Sequence, residues 1–198
     1  MVYSSPKATS TWQRPKKMTN QGDRLINHTF TWAGLQRHEA QWYTAAWQNA
    51  PIFSTCAKRQ YMAYIIGNNK RLISQGYNGS APGTGHCNQG YCPRQQHNSP
   101  SGSIYDDCIA IHAEANALLW ANPQARQNST LILNGSPCYS CAKLAATSGI
   151  TRIIGYSDPS YQMQPQVQQY LMNNNIQTIL LNEKETRQIL STFHIDLP

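Results

Sequence analysis

Two short segments carry residue types that can hold a metal and move protons: His112-Ala113-Glu114 and, further along, Pro137-Cys138-Tyr139-Ser140-Cys141. Cysteines at i and i+3 of a helix project from one face, and at a helix N-terminus the exposed amides and the dipole favour their thiolate forms. Two thiolates balance the charge of a zinc ion, and the neutral imidazole of His112 makes a three-ligand set with Cys138 and Cys141. Three protein ligands leave the fourth tetrahedral position to water, which marks a catalytic site. The metal moves the pKa of that water from about 16 towards 7. Glu114, two residues from His112, reaches the same cavity without joining the metal. A carboxylate there can take a proton from the water and hand it to a ring nitrogen, then to a leaving amine. A lone C-x-x-C can be a redox pair, and a lone histidine is more often packed or solvated. The ordered combination, with proline directly before the first cysteine and both motifs at helix starts, selects the catalytic zinc.

These ligands need a scaffold. Leu35, Trp42, Tyr43, Ala46 and Trp47 fall on one face of a helix over 35–50, which Pro51 is expected to stop by removing a donor. Residues 61–66 are dense in β-favouring types, Gly67-Asn68-Asn69 makes a turn, and 71–76 is again extended, so a hairpin is predicted. Helices are predicted over 107–120, 138–148, 164–172 and 183–190, with strands over 130–133, 151–156 and 177–181 between them. This order implies an α/β fold with a sheet covered on both faces.

A loop of about thirty residues separates the hairpin from the first metal-bearing helix and holds His86, Cys87, Cys92 and His97. Loops of that length inside a compact domain are functional or pinned. A closed four-ligand zinc site could pin this one, with packed free thiols as the alternative.

The pattern H-x-E followed by P-C-x-x-C is that of zinc nucleobase deaminases. Together with Ser54-Thr55-Cys56-Ala57-Lys58-Arg59, Gly76-Tyr77-Asn78-Gly79, the stretch from His112 to Leu118 and Cys138-Tyr139-Ser140-Cys141-Ala142-Lys143, it makes the chain resemble the deoxycytidylate (dCMP) deaminase family over about residues 52–182. The resemblance implies the three-layer α/β/α cytidine-deaminase-like fold with a mixed five-stranded sheet. It also implies zinc-dependent deamination of dCMP to dUMP, supplying dTTP synthesis. It further implies activation by dCTP, accompanied by Mg2+, inhibition by dTTP, and a homohexamer. A structural zinc is implied too, with Cys87, Cys92 and Cys108 as ligands and Cys56 or His86 as the fourth. Gly76, Tyr77, Asn78 and Gly79 are implied near the nucleotide or effector, and Lys58 or Arg59 offers donors for a 5′-phosphate. Tyr139 is a candidate for lining the base pocket. The chain departs from the family at Tyr61-Met62-Ala63, where relatives usually have Val-Gly-Ala.

The alternatives are a deaminase of dCTP or of a modified deoxycytidine nucleotide, a tRNA adenosine deaminase, and an inactive zinc-stabilised binding module. Retention of Glu114 speaks against the last. The 198 residues carry a net charge of +7, of which residues 1–37 account for +5 through Lys7, Arg14, Lys16, Lys17, Arg24 and Arg37 against Asp23. Most of the charge therefore belongs to a basic arm over 1–34, ahead of a deaminase domain over 35–198, and the near-neutral remainder offers no basic face for a nucleic acid. With 19 Gln and 16 Asn, the polarity comes mostly from amides. No apolar run is long enough to span a bilayer and no secretory signal opens the chain, so a cytoplasmic, reducing environment is expected, in which six cysteines suit metals better than disulfides.

Overall fold

A computed structural model describes residues 33–99, 108–159 and 163–197. Residues 1–32 of the basic arm lie outside the described residues. The hairpin strands β1 (Met62–Ile66) and β2 (Leu72–Tyr77) pair antiparallel with Met62 opposite Tyr77. Strand β5 (Ser129–Leu133) is antiparallel to β1, whereas β6 (Ile150–Tyr156) and β7 (Gln177–Leu181) continue from it in parallel. The sheet order is β2-β1-β5-β6-β7, a mixed five-stranded sheet.

Period-two alternation sorts the strand residues between two cores. Met62, Tyr64, Ile66, Ile132 and Ile154 pack beneath helices α1 (Arg37–Phe53) and α6 (Glu183–Thr192). Ala63, Ile65, Leu131, Leu133 and Ile153 pack on the other face against α3 (Ala113–Trp120), α4 (Tyr139–Thr147) and α5 (Pro165–Asn173). Burying each of the isoleucine, leucine and methionine side chains contributes about 1.5–3 kcal/mol, so both helical layers are held by the sheet between them. The three-layer α/β/α expectation is correct. The ion pair of Arg152 with buried Glu39, 2.8 Å, ties the start of α1 to β6. No helix among the described residues is long and apolar enough to cross a membrane.

Two elements differ from expectation. Helix α1 runs through Pro51 to Phe53. A proline in the final turn removes one donor but keeps a helical φ, and the Ser54 N–H still closes on the Ala50 carbonyl at 3.0 Å. The helix expected over 107–120 begins only at Ala113. Ahead of it, β4 (Ala110–Ile111) pairs antiparallel with β3 (Gly79–Ser80), a pairing that local helix propensity cannot anticipate. The long loop is further broken by a 3-10 turn at Cys87–Gln89 and a short helix α2 (Pro93–Gln96).

Candidate active site

His112 and Cys138 are the N-cap residues of α3 and α4, both extended, so each helix begins directly at a candidate ligand. Cys141 lies one turn into α4, and its N–H donates to the Cys138 sulfur at 3.5 Å. Nδ1 of His112 stands 3.5 Å from Sγ of both Cys138 and Cys141, and all three donor atoms lie within 4.8 Å of one another. Zinc bonds of about 2.0–2.1 Å to nitrogen and 2.3 Å to sulfur at a tetrahedral angle would separate those atoms by about 3.6 Å. The donor set therefore fits zinc in both chemistry and spacing. Among the described residues this is the one such group of three.

The electrostatics agree with ligand chemistry. The Cys141 thiol, burial and His112 act on Cys138 together. The hydrogen bond from Cys141 dominates and brings the Cys138 thiol down to about 4, while the same coupling drives Cys141 upward. The Cys138 hydrogen bond raises the pKa of His112. Glu114, 5% exposed, has its pKa raised first by burial, with His112 opposing the shift. Burial thus favours the protonated, proton-donating form of this carboxyl.

His112, Glu114 and Cys138 line a pocket with Lys58, Arg59 and Asn78. Tyr61 and Arg94 line it as well. Lys58 Nζ donates to the Ser99 carbonyl at 2.5 Å, and Arg59 forms an ion pair with Asp158. Tyr61, flagged in the sequence only as a departure, has its pKa raised mainly by burial. Arg94, 7% exposed on α2, and Asp158 were not foreseen. Arg94 sits on a four-residue helix inside the long loop and Asp158 just beyond β6, and no local pattern sets the place of either in space.

The other residues of the Gly76-Tyr77-Asn78-Gly79 stretch serve the scaffold. A Cβ on Gly76 would lie 2.2 Å from the Ala117 nitrogen and 2.4 Å from the Ala113 carbonyl, so this glycine lets β2 seat α3, the helix that carries Glu114. Tyr77 is exposed and stacks on Phe53, with ring centroids 6.1 Å apart. Gly79 pairs with Ile111, just ahead of His112. Tyr139 is not among the pocket residues; it meets Tyr170 edge-on at 5.4 Å, with the Lys143 ammonium 5.0 Å from its ring.

The loop cysteines gather more loosely. Cys87 and Cys92 are buried with Ala110, and Cys108 packs beside them. Burial, and then Cys92, push the Cys87 thiol up to about 12, with Cys56 and Cys108 adding to the shift. His86 Nδ1 is buried without a hydrogen-bond partner. Cys56 and Cys108 also line the pocket that holds Glu114. The donors of this second cluster do not converge as a tight group of three.

Residues 36–157 match the family model described as the cytidine and deoxycytidylate deaminase zinc-binding region. The chain is 34% identical over 125 residues to a deoxycytidylate deaminase of Schizosaccharomyces pombe, a match covering 63% of this chain but 38% of the yeast protein. It is 36% identical over 106 residues to the deoxycytidylate deaminase of Mycobacterium phage D29, covering 51% of this chain and 80% of the phage protein. The fold is similar to that of a cyanophage S-TIM5 dCMP deaminase solved with dCMP and dUMP, with a TM-score of 0.56 and 18% identity over 74% of this chain and 99% of that one.

Proposed function

The chain belongs to the cytidine and deoxycytidylate deaminase zinc-binding family, and from that membership we propose that it hydrolyses the exocyclic amine of dCMP, giving dUMP and ammonia. The observation that carries this reading is the convergence of His112, Cys138 and Cys141 beside buried Glu114. His112 Nδ1 and the two sulfurs would hold a zinc ion, which when bound supplies the Lewis acidity that makes water nucleophilic at neutral pH. Water adds to C4 of the cytosine ring, the C4–N bond breaks, and the amine leaves as ammonia. The Glu114 carboxylate accepts the proton released by the water, passes it to the ring nitrogen N3, and serves the leaving amine in the same way. Its burial supports this role because a desolvated carboxyl holds a proton more readily than an exposed one.

Lys58, Arg59 and Arg94 supply donors for the 5′-phosphate at the pocket wall. A second, structural zinc is proposed on the loop cysteines. Cys87, Cys92 and Cys108 with Cys56 or His86 offer a suitable donor set, and the orphaned His86 Nδ1 supports it. Control by dCTP with Mg2+ and by dTTP and a homohexamer rest on the family resemblance, and a cytoplasmic location rests on the sequence reading of apolar runs and cysteines.

The test is to incubate the zinc-loaded protein with dCMP, dCTP, deoxycytidine and a tRNA, each with and without added dCTP, while following the ultraviolet change from cytosine to uracil and analysing the tRNA for inosine. Turnover of dCMP is expected. Failure to turn over any cytosine nucleotide would overturn the reading, and inosine in the tRNA would replace it.

A further inference from the structure

The backbone entering β1 is held by side chains where the strand ladders stop. Asn78 follows Tyr77, the last residue of β2, and Asn134 follows Leu133, the last of β5. Nδ2 of Asn78 donates to the Arg59 carbonyl at 2.7 Å, and its Oδ1 accepts from the Tyr61 N–H at 2.8 Å. Nδ2 of Asn134 donates to the Gln60 carbonyl at 3.0 Å, and its Oδ1 accepts from the Met62 N–H at 2.8 Å. The two amides thus grip four consecutive residues alternately, one from each side, as neighbouring strands would. They are 6% and 5% exposed, and a buried amide left half-bonded is costly, so the grip is stiff.

The clamped segment matters because of what it aims. Residues two apart on extended backbone share a face, and Arg59 and Tyr61 both line the pocket that holds Glu114. The Tyr61 ring lies against Gly135, where a Cβ would come within 2.5 Å of it, so the ring occupies room that the absent side chain leaves. Arg59 Nη1 lies 3.5 Å from the Tyr61 hydroxyl and is ion-paired with Asp158. A guanidinium has five donors in a fixed fork, so its value to an anion depends on the direction in which it is held.

We propose that Asn78 and Asn134 are paired positioning residues that hold Arg59 and Tyr61 as one wall of the pocket, and that this wall selects a 5′-phosphorylated nucleotide over its nucleoside. The inference rests on the nucleotide reading above and names the residues through which that selection is made.

The test uses the zinc-loaded full chain and two unreactive products, dUMP and deoxyuridine, whose dissociation constants are measured for the wild type, Asn134→Ala, Asn134→Asp, Arg59→Ala and the Arg59→Ala/Asn134→Ala double variant. Asn134→Asp keeps the acceptor for Met62 and loses the donor to Gln60, so it tests half the clamp if the alanine variant folds poorly. Binding of dUMP is expected to weaken about tenfold in Asn134→Ala while deoxyuridine shifts less than about twofold. The double variant should bind dUMP no worse than Arg59→Ala alone, because Asn134 acts through Arg59. Equal weakening of both ligands, no weakening of either, or full additivity in the double variant would overturn the positioning role alone. A wild type that binds dUMP no better than deoxyuridine would overturn both this role and the nucleotide reading.

Discussion

The molecule gathers cysteines in two places, and they are built differently. Cys138 and Cys141 stand at the start of α4, with His112 at the start of α3, and both helices are docked on the same face of the sheet. Three donor atoms therefore meet within 4.8 Å. Cys87 and Cys92 belong to a 3-10 turn and the cap of a four-residue helix, and they meet Cys108 and Cys56 without the same convergence. The number of thiols is larger in the second cluster and the order is lower. Convergence comes from helix ends fixed by a packed core; an irregular loop supplies ligands but needs something else to draw them together.

The sharpest way to separate the two clusters is to change a proton carrier in one and a thiol in the other. Glu114→Gln keeps all three donors of the first cluster and should cut turnover by about 10²–10⁴-fold with zinc content unchanged. A fully active variant would remove Glu114 from proton transfer.

Metal content comes next. Atomic absorption should find about two zinc per chain in the wild type and about one in either Cys141→Ala or Cys87→Ser, with activity lost only in the former. One zinc in the wild type would leave the loop cysteines as packed thiols.

The docking of α3 can be probed at Gly76. Gly76→Ala places a Cβ against the α3 backbone and should lower stability by about 1–3 kcal/mol, measured by denaturant unfolding. It should also lower zinc affinity at the first cluster and leave the loop cluster untouched. If both sites weaken alike, the helix docking is not what distinguishes them.

The smallest effect is one of pH on the metal-free protein. Glu114 has a folded pKa above its ordinary value of 4.5, so between the two values the folded state binds more protons than the unfolded one. Its contribution to stability is therefore fully present below the ordinary value and falls as pH rises through the raised one, by about 1.4 kcal/mol per unit of displacement. Glu114→Gln should flatten that decline in thermal melts from pH 4 to 8; an unchanged slope would mean the carboxyl is not desolvated as the structure has it.

Much of this site could be read from the chain because its signals are local. The i, i+3 spacing of Cys138 and Cys141 after Pro137, and the pair His112 and Glu114, depend only on helix geometry, and the helix over 138–148 was found as α4. The hairpin was legible because β-favouring runs flank a Gly-Asn-Asn turn. The start of α3 was not, since the β3–β4 pairing joins residues thirty apart and replaces a turn of helix that propensity favoured. Gly76 and Tyr77 drew attention by resemblance to a nucleotide-binding stretch, whereas their contacts with α3 and Phe53 were not legible in the sequence. Asn134, a single polar residue at a strand end, gave no signal at all.

By itself the sequence showed which donors exist, that Cys138 and Cys141 open one helix and that a carboxylate stands two residues from His112, because helical spacing is a property of the backbone. Only the tertiary structure decided what surrounds that chemistry. Arg59 and Asn78, already candidates in the sequence, meet Tyr61, Arg94, Asn134 and Asp158 only because segments far apart in the chain come together beside the sheet. Such meetings are set by packing and by hydrogen bonds between distant residues, and no local pattern encodes them.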